Sequence, residues 1–174
     1  MITQRKVAVP NGVTAEINGS TLVVSGPKGK LERNMRYPGV TVKIEDGYFI
    51  AETESERKKI FAMLGTYVSH ANNMFRGVLE EYVYTMKVVY SHFPIQLKAN
   101  KDVLEIANFL GEKKTRYAAI PEGVRMKLAN DEVILSGINK ELVGIASGRI
   151  ERATKVRGRD SRVFQDGIYI VDKA

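Results

Sequence analysis

The sequence VPNGVTAEINGSTLVVSG, residues 9–26, returns as IPEGVRMKLANDEVILSG at residues 120–137. The offset is 111 residues at both ends of the match, from Pro10 to Pro121 and from Gly26 to Gly137, without a gap. Self-similarity at a fixed offset is typical of a duplicated structural unit. The chain is therefore predicted to contain two copies of one small domain.

Both copies carry the pattern of β-hairpins. Apolar and polar residues alternate beside short turns, and Asn-Gly or Asp-Gly supplies the turn in the first copy. The predicted strand, turn and strand are Val13–Ile17, Asn18-Gly19 and Leu22–Val24 in one hairpin, and Val40–Ile44, Asp46-Gly47 and Tyr48–Ile50 in the next. In the second copy the turns Lys98–Asp102 and Gly111–Lys114 separate predicted strands at Ile95–Leu97, Leu104–Phe109 and Tyr117–Ile120.

An amphipathic helix is predicted in each copy, because apolar residues recur at the spacing of a helical stripe. The stripe comprises Ile60, Met63, Leu64, Tyr67, Val68, Ala71 and Met74 in the first copy and Leu142, Ala146, Ile150 and Ala153 in the second. Thr53 and Glu56 have the spacing of a capping box, and Asn139 is the predicted N-cap of the second helix. We predict an α+β fold of two tandem domains, 1–80 and 81–174, each with antiparallel β-sheet and one main α-helix.

Composition limits the classes of function. The 174 residues include 44% apolar residues, enough for packed cores, and the net charge of +7 favours a polyanionic partner. Because there is no cysteine, disulfides, thiolate metal sites and cysteine nucleophiles are excluded. His70 and His92 have no second metal ligand of the zinc type beside them. No apolar run approaches a membrane span, and the amino terminus MITQRKVAVP lacks the apolar centre of a secretion signal.

The glycine- and lysine-containing segment Gly26–Lys30 invites comparison with a phosphate-binding loop. Such a loop needs Ser or Thr directly after its lysine and a helix behind it, whereas Leu31 follows here and the chain continues as an extended segment. A turn that carries Lys28 and Lys30 is the better interpretation.

Charge is concentrated near the carboxyl end of the chain. Residues 149–162 contain six cations and only two acids, Glu151 and Asp160. Arg149, Arg152 and Lys155 are predicted to close a helix that Gly158 ends, and three arginines line the loop after it. A hairpin with its turn at Asp166-Gly167 is predicted between residues 163–164 and 168–170. A solvated basic surface is one interpretation of this cluster, and a surface that binds RNA is the other.

The order of residues in this segment resembles a known family. The pattern is Arg162-x-Phe164-x-Asp166-Gly167-Ile168-Tyr169-Ile170-x-x-Lys173, with Arg152–Arg157 and Arg159-Asp160 before it and Ser91-His92-Phe93-Pro94 further upstream. It is similar to the closing signature of the large-subunit ribosomal protein six family in its archaeal and eukaryotic branch, although a glutamine is expected where Arg152 stands. Members of that family consist of two related domains, so the resemblance and the internal repeat agree.

The resemblance implies a function. Family members are scaffolds of the cytoplasmic ribosome that support subunit assembly and translation, not catalysts. They bind large-subunit rRNA, chiefly through the second domain, near the sarcin-ricin region, with ribosomal proteins and translation GTPases as neighbours. An enzyme acting on RNA would need a nucleophile, base or metal set, which the sequence lacks. A non-ribosomal RNA- or DNA-binding protein is the alternative that remains open.

The resulting site prediction contains no catalytic residue, no metal ligand and no cofactor. The predicted rRNA-binding residues are Arg149, Arg152, Lys155, Arg157, Arg159, Arg162, Tyr169 and Lys173. Secondary RNA contacts are predicted at Lys28, Lys30, Arg57, Lys58 and Lys59. Arginine suits such a role because its planar guanidinium pairs with phosphate and stacks on bases.

Overall fold

A computed structural model describes residues 3–173, so Met1, Ile2 and Ala174, which belong to the predicted domain ends, lie outside the described residues. The chain divides into two compact units between Glu81 and Tyr82. Each unit combines antiparallel sheets with one α-helix, which confirms the predicted α+β class. No helix within residues 3–173 is long and apolar enough to cross a membrane.

Within residues 3–81 the first unit contains six strands and one helix. They are β1 (Thr3–Ala8), β2 (Thr14–Asn18), β3 (Thr21–Gly26), β4 (Gly29–Asn34), β5 (Thr41–Glu45), β6 (Tyr48–Thr53) and α1 (Lys58–Leu79). The strands form two three-stranded antiparallel sheets, in the orders β2-β3-β4 and β1-β6-β5. Helix α1 packs its apolar face, with Leu64, Ala71 and Phe75 buried, on side chains such as Leu22 and Phe49 from the sheets.

The two predicted hairpins of this unit are present, with one shift of register. Asn18 pairs with Thr21, so the turn between β2 and β3 consists of Gly19-Ser20 and not of Asn18-Gly19. The turn at Asp46-Gly47 is as predicted, and positive φ angles of 50° and 76° give it the twist that two-residue hairpins favour.

The predicted capping box of α1 is wrong. The helix begins at Lys58 with Arg57 as its N-cap, and the Arg57 side chain makes no capping hydrogen bond. Thr53 instead donates its hydroxyl to the Gly39 carbonyl and accepts from the Ser55 amide at 3.2 Å. The hydroxyl therefore stabilises the connection before the helix and not the helix itself.

The second unit, as described from Tyr82 to Lys173, contains seven strands, one short 3₁₀ turn and one helix. They are β7 (Tyr82–Val89), β8 (Gln96–Asn100), β9 (Val103–Ala107), the 3₁₀ turn Phe109–Gly111, β10 (Arg116–Ala119), β11 (Arg125–Ala129), β12 (Glu132–Gly137), α2 (Lys140–Ala153) and β13 (Gly167–Lys173). The sheets have the orders β10-β9-β8 and β11-β12-β7-β13. Because β8 extends to Asn100, the predicted turn Lys98–Asp102 is reduced to two residues.

The repeated sequence forms the same hairpin in both units, since β2 and β3 coincide with β11 and β12 at the offset of 111 residues. The chain order of the partner strands differs. In the first unit β4, which pairs with β3, follows the hairpin, whereas in the second unit β7, which pairs with β12, precedes it. The other sheet shows the same difference. The hairpin β5–β6 follows β4 in the chain, whereas the corresponding hairpin β8–β9 precedes β10. Equivalent sheets are thus assembled from differently ordered segments.

Helix α2 begins as predicted, because the Asn139 side chain accepts from the amides of Glu141 at 3.0 Å and Leu142 at 3.4 Å. Its predicted end is wrong. The helix ends at Ala153, before Lys155 and well before Gly158. The Thr154 hydroxyl accepts from the Ile168 amide at 3.1 Å, so the helix end is tied to the start of β13.

The hairpin predicted around Asp166-Gly167 is also wrong. Residues 155–166, here called the arginine loop, contain turns but no strand, and β13 pairs with β7 instead of with residues 163–164. Gly167 lies opposite Val89 in that pairing. The Asp166 side chain is buried, and its carboxylate contacts residues that are distant in the sequence instead of forming a turn.

Candidate nucleic-acid interface

Six of the seven predicted cations of the second unit surround the carboxyl end of α2. Arg149 and Arg152 project from the last two turns of the helix, and the other four lie in the arginine loop. All eight predicted rRNA-binding residues are exposed: Arg149, Arg152, Lys155, Arg157, Arg159, Arg162, Tyr169 and Lys173. Helix and loop together therefore present their positive charge to solvent.

Two grooves lie beside this helix end. The first, of about 500 Å³, lies between α2 and the arginine loop, and its lining includes Arg152, Lys155, Phe164 and Tyr169. The second, of about 470 Å³, lies on the β10 side, and its lining includes Lys114, Arg116, Tyr117, Arg152 and Arg157. Arg152 lines both grooves, so it is the central cation of the surface.

Arg116 belongs to this surface although it is not among the predicted RNA-binding residues. One terminal nitrogen of its guanidinium, Nη1, donates to the carbonyl of Ala153 at 2.8 Å and to that of Lys155 at 3.2 Å. The other nitrogens hold Glu112 in a bidentate pair at 2.8 and 2.5 Å. These bonds satisfy carbonyls at the end of α2, where the helix dipole would repel phosphate.

The basic run Lys113-Lys114-Thr115-Arg116 was the signal that could have found this part of the surface. Lys113 and Lys114 belong to the predicted turn Gly111–Lys114. Hydrogen bonds from Arg116 lower the pKa of Glu112, burial opposes this shift, and the charges of Arg116 and Arg159 add to it. Glu112 thus remains ionised and compensates part of the positive charge of the second groove.

Arg162 is paired within its own loop. Its Nε and Nη2 atoms donate to the two carboxylate oxygens of Asp160, at 3.1 and 2.8 Å. The side-chain bond from Arg162 is the main cause that lowers the pKa of Asp160, and the same bond raises the pKa of Arg162. Both side chains are exposed, so the pair is open to exchange with a phosphate.

Three planar groups meet at Phe164, which lines the first groove. The ring of His92 stacks on that of Phe164 with a centroid distance of 4.5 Å and an angle of 19° between the planes. The Cζ atom of Arg159 lies 4.8 Å from the Phe164 centroid. We call His92, Phe164 and Arg159 the stacked column. One predicted RNA-binding arginine is therefore supported by a residue from the loop after β7.

Asp166 fixes the position of His92 in the stacked column. Its carboxylate accepts from the side chain of His92 at 2.7 Å, from the amide of His92 at 3.3 Å, and from the amide and hydroxyl of Ser91 at 3.2 Å each. Burial raises the pKa of Asp166, but the hydrogen bonds from His92 and Ser91 outweigh it and leave the pKa below its ordinary value. A buried carboxylate with four donors is a rigid anchor.

Tyr169 and Lys173 occupy different parts of β13. The Tyr169 ring lines the first groove and its hydroxyl donates to the Gln165 carbonyl at 2.9 Å. Lys173 lies at the opposite end of the strand, roughly 20 Å from Gly167 at the usual rise per residue. Its ammonium lies over the Tyr84 ring at 6.0 Å. The structure therefore does not bring Lys173 together with the arginine loop.

The predicted secondary contacts of the first unit are exposed but scattered. Lys28 lies in the turn between β3 and β4, and its amide donates to the Val78 carbonyl near the end of α1. Arg57, Lys58 and Lys59 lie at the other end of this 22-residue helix, roughly 33 Å away. Lys30 pairs with Glu32 at 2.7 Å. These cations form no single surface.

Comparison with known proteins identifies the family. A family model described as ribosomal protein L6 matches residues 9–81 and 93–167, one match in each unit. A protein of Methanospirillum hungatei, named large ribosomal subunit protein uL6, is 51% identical over 174 residues, 100% of this chain and 99% of its own. Proteins of the same name from Methanocella arvoryzae and Methanococcus vannielii are 48% and 44% identical, over 98% and 99% of this chain and 97% and 95% of theirs. These matches confirm the resemblance: the chain belongs to the ribosomal protein L6 family.

Proposed function

We propose that this protein is a structural constituent of the large ribosomal subunit and that it binds large-subunit rRNA through the second unit. The observation that carries the proposal is the exposed cation cluster around the end of α2, together with the two grooves on either side of Arg152. Its relatives carry the name of a large-subunit protein, which makes rRNA the expected polyanion.

The chemistry of the surface fits an RNA backbone. Each cation that meets a phosphate releases condensed counterions, so several clustered cations give an affinity that falls steeply with salt. The guanidinium groups of Arg152 and Arg157 can pair with phosphate oxygens from the edge of the grooves. The two grooves lie between the face of α2 and the flanking loops, so an RNA backbone has room to run along the helix.

The family resemblance supports a proposal for the position within the subunit. We expect the rRNA segment to lie near the sarcin-ricin region, beside the site where translation GTPases dock, with other large-subunit proteins around it. The role is that of a scaffold in the cytoplasmic ribosome that supports assembly and translation. The acidic residues near the surface have structural partners, since Asp160 pairs with Arg162 and Asp166 anchors His92. We therefore propose no catalytic activity.

A competition experiment tests the proposal against a general nucleic-acid binder. A labelled rRNA fragment with the sarcin-ricin neighbourhood is titrated with the protein near physiological salt, and unlabelled duplex RNA and duplex DNA of equal length compete. We expect the unrelated duplexes to displace the fragment only at roughly tenfold or higher excess, because they share only the electrostatic part of binding. Equal competition by all three would support the non-ribosomal alternative. Sedimentation of a cell extract should also place the protein with large subunits.

A further inference from the structure

Arg159, the cation of the stacked column, differs from the neighbouring arginines in its contacts. Arg149, Arg116 and Arg162 all donate hydrogen bonds to carbonyl or carboxylate oxygens. Within residues 3–173 the Arg159 guanidinium takes part in no hydrogen bond or ion pair; it lies over the Phe164 ring at 4.8 Å, and its charge acts on Glu112 from a distance. Phe164 itself is half-buried, whereas Arg159 is exposed. The ring therefore lies beneath the guanidinium of an arginine that is exposed to solvent.

This geometry is suited to a planar ligand. A guanidinium that lies over a ring has its outer face available for stacking, and arginine planes are among the surfaces on which RNA-binding proteins stack unpaired bases. A phosphate would approach the edge of the guanidinium, where the N–H donors point, and needs no ring beneath it. The column therefore favours a base over a phosphate as the group that meets Arg159.

We propose that Arg159 is the stacking platform for one unpaired base of the bound RNA, and that Asp166, His92 and Phe164 are positioning residues for it. The base would form the fourth layer, after His92, Phe164 and Arg159. The neighbouring cations Lys155 and Arg157 can then meet the phosphates that flank this nucleotide. The inference rests on the proposed function and deepens it by naming the chemical group that this part of the surface recognises.

The positioning role explains the burial of Asp166. A buried carboxylate costs desolvation energy, and an apolar residue of similar size would often stabilise the fold as well. Unlike an apolar residue, the carboxylate also fixes the orientation of its hydrogen-bond donors. It fixes Ser91 and His92 through four hydrogen bonds, and His92 then fixes the plane of Phe164. Arg159 loses less conformational freedom on binding if its support is already rigid.

The test separates stacking from charge. Binding of the same rRNA fragment is measured over a salt series for the parental protein and for Arg159→Lys, Phe164→Leu and the double variant. Arg159→Lys keeps the charge and removes the plane, so the slope of log affinity against log salt should stay the same. The affinity extrapolated to 1 M salt should fall about tenfold, the effect of losing one stacked base. Thermal melts check that each variant is folded.

The double variant tests whether Phe164 acts through Arg159. Phe164→Leu should also lower the extrapolated affinity, and it should lower it little further when Arg159 is already lysine. A merely structural role of Phe164 predicts the same loss in both backgrounds and would overturn the positioning role. If Arg159→Lys binds like the parental protein at every salt concentration, the stacking platform does not exist.

Arg157→Ala is the matched control for the proposed function itself. Arg157 is an exposed neighbour outside the column, so this variant should reduce the salt slope by about one unit and leave the stacking contribution unchanged. If Arg157→Ala behaves so while Arg159→Lys has no effect, rRNA binding stands and only the stacking inference fails. If the fragment is not preferred over unrelated duplexes, the proposed function fails first.

Discussion

The Nδ1 atom of His92 lies 2.7 Å from Oδ1 of Asp166, although the two residues are 74 positions apart in the chain. The contact joins the loop after β7 to the residue that precedes β13, and these two strands are hydrogen-bonded neighbours. Because a carboxylate only accepts, the imidazole must donate from Nδ1. One buried carboxylate thus connects the edge of the sheet with the surface that carries the arginine loop.

Asp166→Asn should destabilise the protein by about 1–3 kcal/mol at pH 7, because an amide group turns a donor toward the amides and side chains that now donate to the carboxylate. The effect should depend on pH. The folded-state pKa of Asp166 lies below its ordinary value of 3.8, so the carboxylate contributes stability that is complete above that value and is lost as pH falls through the lower folded pKa. Urea unfolding of both proteins between pH 7 and pH 3 measures the difference.

The expected difference in the free energy of unfolding shrinks toward zero as the pH falls below the carboxyl pKa. Glu112→Gln is the control, since its carboxylate is paired at the surface and should give a smaller effect. A difference for Asp166→Asn that persisted unchanged at pH 3 would contradict the ionised carboxylate.

Arg116→Lys should cost about 1–2 kcal/mol of stability although it keeps the charge. Lysine cannot hold Glu112 with two parallel bonds and at the same time reach the carbonyls of Ala153 and Lys155. Amide exchange should become faster in the last turn of α2 and the start of the arginine loop. Lys114→Ala, an exposed neighbour, serves as the control and should leave both stability and exchange unchanged. Equal behaviour of the two variants would mean that Arg116 does not cap the helix.

Substitutions at the N-caps of the two helices should change the free energy of unfolding in opposite directions. Asn139→Ala should destabilise the protein by about 1 kcal/mol, because the amides of Glu141 and Leu142 lose their acceptor. Arg57→Ser should stabilise it by up to about 1 kcal/mol, because α1 has no side-chain cap and its first turn carries no acid. Thermal or urea unfolding measures both. A loss of stability in Arg57→Ser would show that the arginine has another structural role.

Local signals in the sequence predicted the local structure. The turn at Asp46-Gly47 and the cap at Asn139 depend on neighbours within a few positions, and both are present. The repeat at an offset of 111 residues is visible when the chain is compared with itself, and both of its copies form the same hairpin. The family signature likewise depends on spacing along the chain. What could be predicted is therefore the existence of both helices and of the hairpins other than the one at Asp166-Gly167, together with the position of the cation cluster along the chain.

The errors arose where a side chain has a distant partner. Asp166-Gly167 has the composition of a hairpin turn, but the Asp166 carboxylate binds Ser91 and His92, and Gly167 enters a strand beside β7. Thr53 has the spacing of a helix cap, but its hydroxyl donates to Gly39. Arg116 was missed for the same reason, since its role depends on carbonyls 37 and 39 positions away. No pattern within a short window contains these contacts.

The last prediction concerns Arg157, Arg159 and Arg162, which we expect to hold rRNA more than they hold the fold. Their replacement by alanine should change the free energy of unfolding by no more than about 1 kcal/mol, because all three are exposed and Arg162 forms only a surface pair with Asp160. Each lost phosphate contact removes one counterion-release contribution, so the slope of log affinity against log salt should flatten by roughly two units if Arg159 meets a base, and by up to three if it meets phosphate.

The double variant Lys58→Ala/Lys59→Ala is the matched control, since it removes exposed cations from the first unit, where they form no cluster. Titration against the rRNA fragment over a salt series, with thermal melts, decides the matter. A triple variant that is folded and keeps the parental slope and affinity would place the RNA elsewhere on the protein.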